Sequence, residues 1–157
     1  MTAQATLYNI PSAVNDPFKG EEMARVAQQI ARDIGDWEAA ARLLWTLMLS
    51  ATWVTNEPLK AIEYGEESLR LIHEHQIEQQ LAYTVNDLAT VYMSVGRAEE
   101  ARAALLEAQT RFEVLDDRSL LAQAIRMMGS IYYAEGKLAE AEQRFEKALQ
   151  ISRAIED

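Results

Sequence analysis

An all-α fold of about seven helices, paired as antiparallel hairpins, follows from three observations on the 157-residue sequence. The composition sets 25 Ala, 18 Glu and 11 Arg against only 6 Gly and 3 Pro, which means strong helix formers and few breakers. Apolar residues recur at spacings of three and four, as in Val85, Leu88, Ala89, Tyr92 and again in Ile125, Met128, Gly129, Tyr132; such spacing lays a continuous stripe along one helix face. A shift of 40 residues superposes Tyr92 on Tyr132, Gly96 on Gly136, Ala101 on Ala141, Leu105 on Phe145 and Ala108 on Ala148, so the chain contains an internal repeat.

Residues 1–15 have no sustained period and read as an extended or disordered arm. Asp16-Pro17 then supplies an N-cap and a first helical residue, opening a helix to about residue 34. This is a half repeat, 16–35, lacking an upstream mate. Gly35-Asp36 stops that helix and caps the next, which spans 37–54. Asn56 closes it, because Asn tolerates the left-handed backbone of a helix end, and Pro58 opens the helix 58–74 at the one position where a missing N–H costs nothing. The same pairing gives helices 78–94 and 98–114 around Gly96, and 118–134 and 138–154 around Gly136. Residues 16–157 thus form one domain, with repeats at about 37–76, 77–116 and 117–157. With 49% hydrophobic residues the chain can bury one core.

These residues resemble the tetratricopeptide repeat (TPR) family, whose pattern places a large apolar residue, Leu-Gly and Tyr on the first helix and Ala, a large residue and Ala on the second. The third unit carries Ile125, Met128-Gly129, Tyr132, Gly136, Ala141, Phe145 and Ala148. The second keeps Leu88-Ala89, Tyr92, Gly96, Ala101, Leu105 and Ala108; the first keeps Trp45, Met48-Leu49 and Ala61. The common period of the family is about 34 residues, so a period of 40 resembles its long-helix subgroup. The resemblance implies a right-handed superhelical solenoid that binds peptides or partner segments, without catalysis, along a concave groove lined by first helices.

The family's inward positions fall here on Leu43, Thr46, Ser50, Trp53 and Val54, on Tyr83, Asn86, Thr90, Met93 and Ser94, and on Gln123, Arg126, Ser130, Tyr133 and Ala134. Trp53, Tyr83, Asn86, Thr90, Met93, Arg126, Ser130 and Tyr133 are the expected groove residues. Asn86 offers a donor and an acceptor to a peptide backbone, Arg126 can hold a carboxylate bidentately, and the aromatics supply stacking area. The plainer alternative pairs Arg126 with a neighbouring Glu and leaves Asn86 a solvated helix residue. The first unit has no basic residue on this face, which disfavours a clamp for a C-terminal carboxylate.

A formal charge of -10 disfavours nucleic acid and anionic lipid as partners. Absence of cysteine excludes disulfides and thiolate metal sites and accords with a cytoplasmic setting. His73 and His75 stand two apart, on different faces of a helix, so no metal is expected, and no cofactor-binding or catalytic motif is present. Trp45, Met48, Met127 and Met128 recur at helical spacing and read as core rather than as a soft binding face. Trp37 either covers a hairpin end or stands exposed. The final helix looks like an internal one and should present Leu138, Leu149, Ile151 or Ile155 outward; further repeats or end-to-end homodimers would cover it. The alternative function is therefore a structural or self-associating regulatory segment of a larger bacterial signalling or transcriptional regulator.

Overall fold

The computed structural model describes residues 17–156, and the described residues form seven helices and no strand. They are α1 (Pro17–Asp33), α2 (Trp37–Trp53), α3 (Pro58–His75), α4 (Glu78–Ser94), α5 (Ala98–Val114), α6 (Arg118–Ala134) and α7 (Leu138–Glu156). The arm of residues 1–15 and the Asp16 cap lie outside the described residues.

Each turn is closed by one residue in the left-handed region: Gly35, Asn56, Gln76, Gly96, Asp116 and Gly136. From Asn56 onward these positions are 20 residues apart, so the backbone repeats every helix while the sequence repeats every hairpin. The difference arises because first and second helices bury different faces. Gly35, Asn56, Gly96 and Gly136 are the turn residues the sequence marks. Gln76 and Asp116 adopt the same geometry, φ 56° and 52°, against a strain of roughly 1–2 kcal/mol for a residue with a Cβ. Backbone bonds compensate: the Ile77 amide donates to the Ile72 carbonyl at 3.0 Å and the Asp117 amide to the Phe112 carbonyl at 3.0 Å, the bonds that satisfy orphan carbonyls at a helix end. At the following helix starts, Asp36 accepts from the Ala39 amide and Asp117 from the Leu120 amide, both at 3.0 Å.

The hairpins α2/α3, α4/α5 and α6/α7 stack in chain order, with α1 against α2, α3 against α4 and α5 against α6; the first helices α2 and α4 also touch. Small residues permit this approach. Ala40, Ala61, Ala89, Ala101, Ala108 and Ala124 are fully enclosed. A Cβ added to Gly129 would come within 2.8 Å of the Phe145 ring and 3.2 Å of Arg144 Cβ, so helix axes at this crossing lie closer than a larger side chain allows. Met48, Met127 and Met128 are buried in the core, and Trp37 covers a hairpin end by stacking on His75 at 4.2 Å with planes 5° apart.

Charged groups fasten α1 to α3. Glu67 of α3 accepts from Arg32 of α1 and from Arg70 one turn along its own helix. Hydrogen bonds from Arg70, then from Arg32, hold its carboxyl well below the usual value, at about 2, against the opposing effect of burial. A carboxyl depressed in the native state contributes stability above its unfolded value of 4.5 and loses it as pH falls from there toward 2. Because Glu67 is a third exposed, the contribution is about 1 kcal/mol after solvent screening. Glu67→Gln is expected to lower the melting temperature at pH 7 and to converge with the natural chain near pH 2, measured by circular dichroism.

Candidate peptide-binding face

The candidate site is the face formed by the three first helices. Trp53 at the end of α2 is 70% exposed and Tyr133 at the end of α6 is 65% exposed, with Met93 of α4, half-buried, at the corresponding place between them. Tyr83 stands at the start of α4, exposed on one side and anchored on the other, its ring 6.1 Å from Phe112 in an edge-on arrangement. Thr90 and Ser130 are half-buried; the Thr90 hydroxyl lies 4.0 Å from the Met127 sulfur, and the Ser130 hydroxyl donates to the Arg126 carbonyl at 3.3 Å. Arg126 is exposed, and among the described residues no Glu pairs with it.

Two expected inward residues are corrected. Leu43 is fully enclosed and belongs to the core. Asn86 is 2% exposed, neither presented to a ligand nor solvated. The physical reason is its place in the middle first helix, which α2 packs beside and which α6 approaches at Thr90 and Met127. Its amide nitrogen donates at 3.4 Å to Asp87 Oδ1, and its own Oδ1 is buried without a partner.

The residue missed in sequence is Asp87. Trp45 of α2 donates its indole N–H to Asp87 Oδ2 at 2.8 Å, a link between adjacent hairpins. Burial pushes the Asp87 carboxyl up, opposed by the hydrogen bonds from Trp45 and Asn86. The sequence did carry a signal: 40 residues to either side of Asp87 stand Leu47 and Met127, both buried hydrophobes, so a carboxylate occupies a core column of the repeat.

Next to this face, Tyr133 of α6 and Leu138, Phe145 and Leu149 of α7 edge an open groove of about 490 Å³, where Leu138 and Leu149 point outward as expected. Ile155 is exposed as well, whereas Ile151 is half-buried and lines a separate cavity of about 350 Å³ with Phe112 and Leu121. Among the described residues no group of three or more His, Cys, Asp or Glu could hold a metal ion, and no helix is long and apolar enough to cross a membrane.

The pattern of the tetratricopeptide repeat matches residues 80–154. Solved structures with the same fold include BtubC from P. vanneervenii, with a TM-score of 0.59 and 20% identity over 98% of this chain and 73% of that one. Aspartyl phosphate phosphatase F from Bacillus subtilis superposes with a TM-score of 0.85 and 17% identity over 99% of this chain, which spans only 41% of the phosphatase. MamA matches with a TM-score of 0.56 and 20% identity over 97% of this chain and 87% of its own. No curated protein sequence matches the chain. At these identities the neighbours speak for the fold alone. Residues 80–154 thus match the tetratricopeptide repeat, and the forty-residue period and the six left-handed turns extend the same helical-repeat architecture to the first hairpin.

Proposed function

We propose that this chain is a non-catalytic scaffold that holds an extended peptide or partner segment against the face of α2, α4 and α6. Repeats of this family serve generally as protein-interaction scaffolds. The observation that carries the finer reading is the company of Trp53, Tyr133 and Arg126 on that face: two large exposed aromatics and an exposed guanidinium with no carboxylate partner among the described residues. Aromatic and Arg side chains of this kind dominate binding energy where a partner desolvates them, and packed helices hold them in place with little ordering cost. Met93, Tyr83, Thr90 and Ser130 extend the surface between them. A peptide carboxylate suits Arg126, the aromatics suit apolar side chains, and the low basic content of the chain argues against nucleic acid. A cytoplasmic setting remains the proposed location, on the absence of cysteine.

Selection of a random peptide display library on the purified chain tests this. Binders are expected, and a Trp53→Ala, Arg126→Glu, Tyr133→Ala variant that melts normally should bind them at least about tenfold more weakly. Equal binding by both proteins would remove the face from consideration.

The apolar strip of α7 favours a second reading, a structural or self-associating segment of a larger bacterial signalling or transcriptional regulator, with homodimers formed through the ends of the stack. Leu138, Phe145 and Leu149 are exposed on a helix whose counterpart α5 is covered by α6. A concentration-dependent rise in solution mass, abolished by Leu138→Glu with Leu149→Glu, would favour this reading over the first.

A further inference from the structure

Asp87 is poorly explained as a structural residue. The repeat places a buried Leu and a buried Met at its two counterparts, and its hydrogen-bond donors, the Trp45 indole and the Asn86 amide, are both neutral. A carboxylate accepts about four hydrogen bonds, of which neutral protein groups supply two, and no cation among the described residues offsets its charge. A partly desolvated anion without a counter-charge costs stability where a hydrophobe would add it. Beside it the Asn86 Oδ1, buried in a residue 2% exposed, is a second acceptor with no donor. The Asp87 side chain is not sealed: it is half-buried, on α4, one turn before Thr90.

We infer that Asp87, positioned by the indole N–H of Trp45 and half-buried on α4, is the subsite for a basic side chain, Lys or Arg, of the bound peptide. The inference rests on the reading of the first-helix face as a peptide groove and adds the chemistry that selects its occupant. An ammonium or guanidinium is all donor and no acceptor, so it supplies the Asp87 carboxylate with both hydrogen bonds and a counter-charge, while its aliphatic stem can lie along half-buried Thr90. The excess of acidic residues behind a formal charge of -10 draws a basic segment toward the chain and speeds its encounter. Arg126, on the neighbouring first helix, supplies the opposite sign. Asp87 and Arg126 together ask for a peptide with a basic and an acidic group in a fixed order, which sets its direction along the groove.

The test is a random twelve-residue peptide library displayed on phage and selected in parallel on the natural chain and on Asp87→Asn, each first shown to melt cooperatively. Peptides from the natural chain are expected to share a Lys or Arg at one fixed position, and those from Asp87→Asn to lack that preference. Replacing the shared Arg by citrulline, its neutral near-isostere, in a peptide bound to the natural chain should weaken affinity by about tenfold or more; this measurement stands even if Asp87→Asn fails to fold. Peptides that bind the groove with no shared basic residue, the same preference from both proteins, or indifference to citrulline would overturn the Asp87 subsite while leaving the groove intact. Recovery of no peptide at all would overturn the groove, and the subsite with it.

Discussion

Phe112→Ala is expected to cost about 3–5 kcal/mol, the range for deleting a fully buried aromatic, and to lower the melting temperature by roughly 10 °C in a domain of this size. Phe112 is 0% exposed and sits where α5 meets α6 and α7. One edge already borders the cavity of about 350 Å³ shared with Leu121 and Ile151, so truncation enlarges an existing void that rigid helices on three sides cannot close. The other side carries the Tyr83 ring, 6.1 Å away, and loses the surface that orients it. In a linear stack each hairpin is stabilised by its neighbours alone, so the loss should be concentrated in the second and third hairpins. Urea denaturation followed by amide exchange would read both features: faster exchange in α5 to α7 with α2 and α3 largely protected. A loss below about 1 kcal/mol would mean that Phe112 is not the packing centre of this junction.

The helices were legible because their signals are local. Gly35, Asn56, Gly96 and Gly136 mark turns by backbone tolerance, Asp36 and Pro58 mark starts by local chemistry, and the apolar stripe between them has a helical period; the observed ends fall within about two residues of those read from the sequence. Gln76 and Asp116 carry no such mark. Their left-handed backbone is imposed by hairpins that must reverse after a fixed number of residues, a tertiary demand that overrides residue preference. The site was legible by column and not by depth. Register put Trp53, Met93 and Tyr133 on equivalent turns of their helices, and two of the three are openly exposed. The same register put Asn86 on the groove, yet neighbouring helices close over it, because helical phase says which way a side chain leaves its axis and nothing about what stands beyond. Asp87 escaped for the opposite reason. Its own helix offered no motif, and only a reading down the repeat, from Leu47 to Asp87 to Met127, shows a charge where the architecture calls for a hydrophobe.

Ala101→Leu and Ala141→Leu occupy the same position in successive repeats and are expected to differ threefold in cost. Ala101 is 0% exposed on α5, which α6 covers. A leucine there adds three carbons to a closed crossing and should cost roughly 3 kcal/mol, the upper part of the range for overpacking. Ala141 is 2% exposed but belongs to α7, and it lines the open groove with Tyr133, Leu138 and Leu149. A leucine at 141 can lean into that groove, bury apolar surface of its neighbours and recover part of the strain, leaving a net cost of about 1 kcal/mol. Urea midpoints of the two variants against the natural chain measure the difference. Equal costs would carry a specific meaning: the α7 face would then be as crowded in solution as the α5 face, which requires a second copy or a further repeat seated on Leu138, Phe145 and Leu149. Repeating the comparison at several protein concentrations separates those occupants, since only a second copy makes the cost of Ala141→Leu rise with concentration.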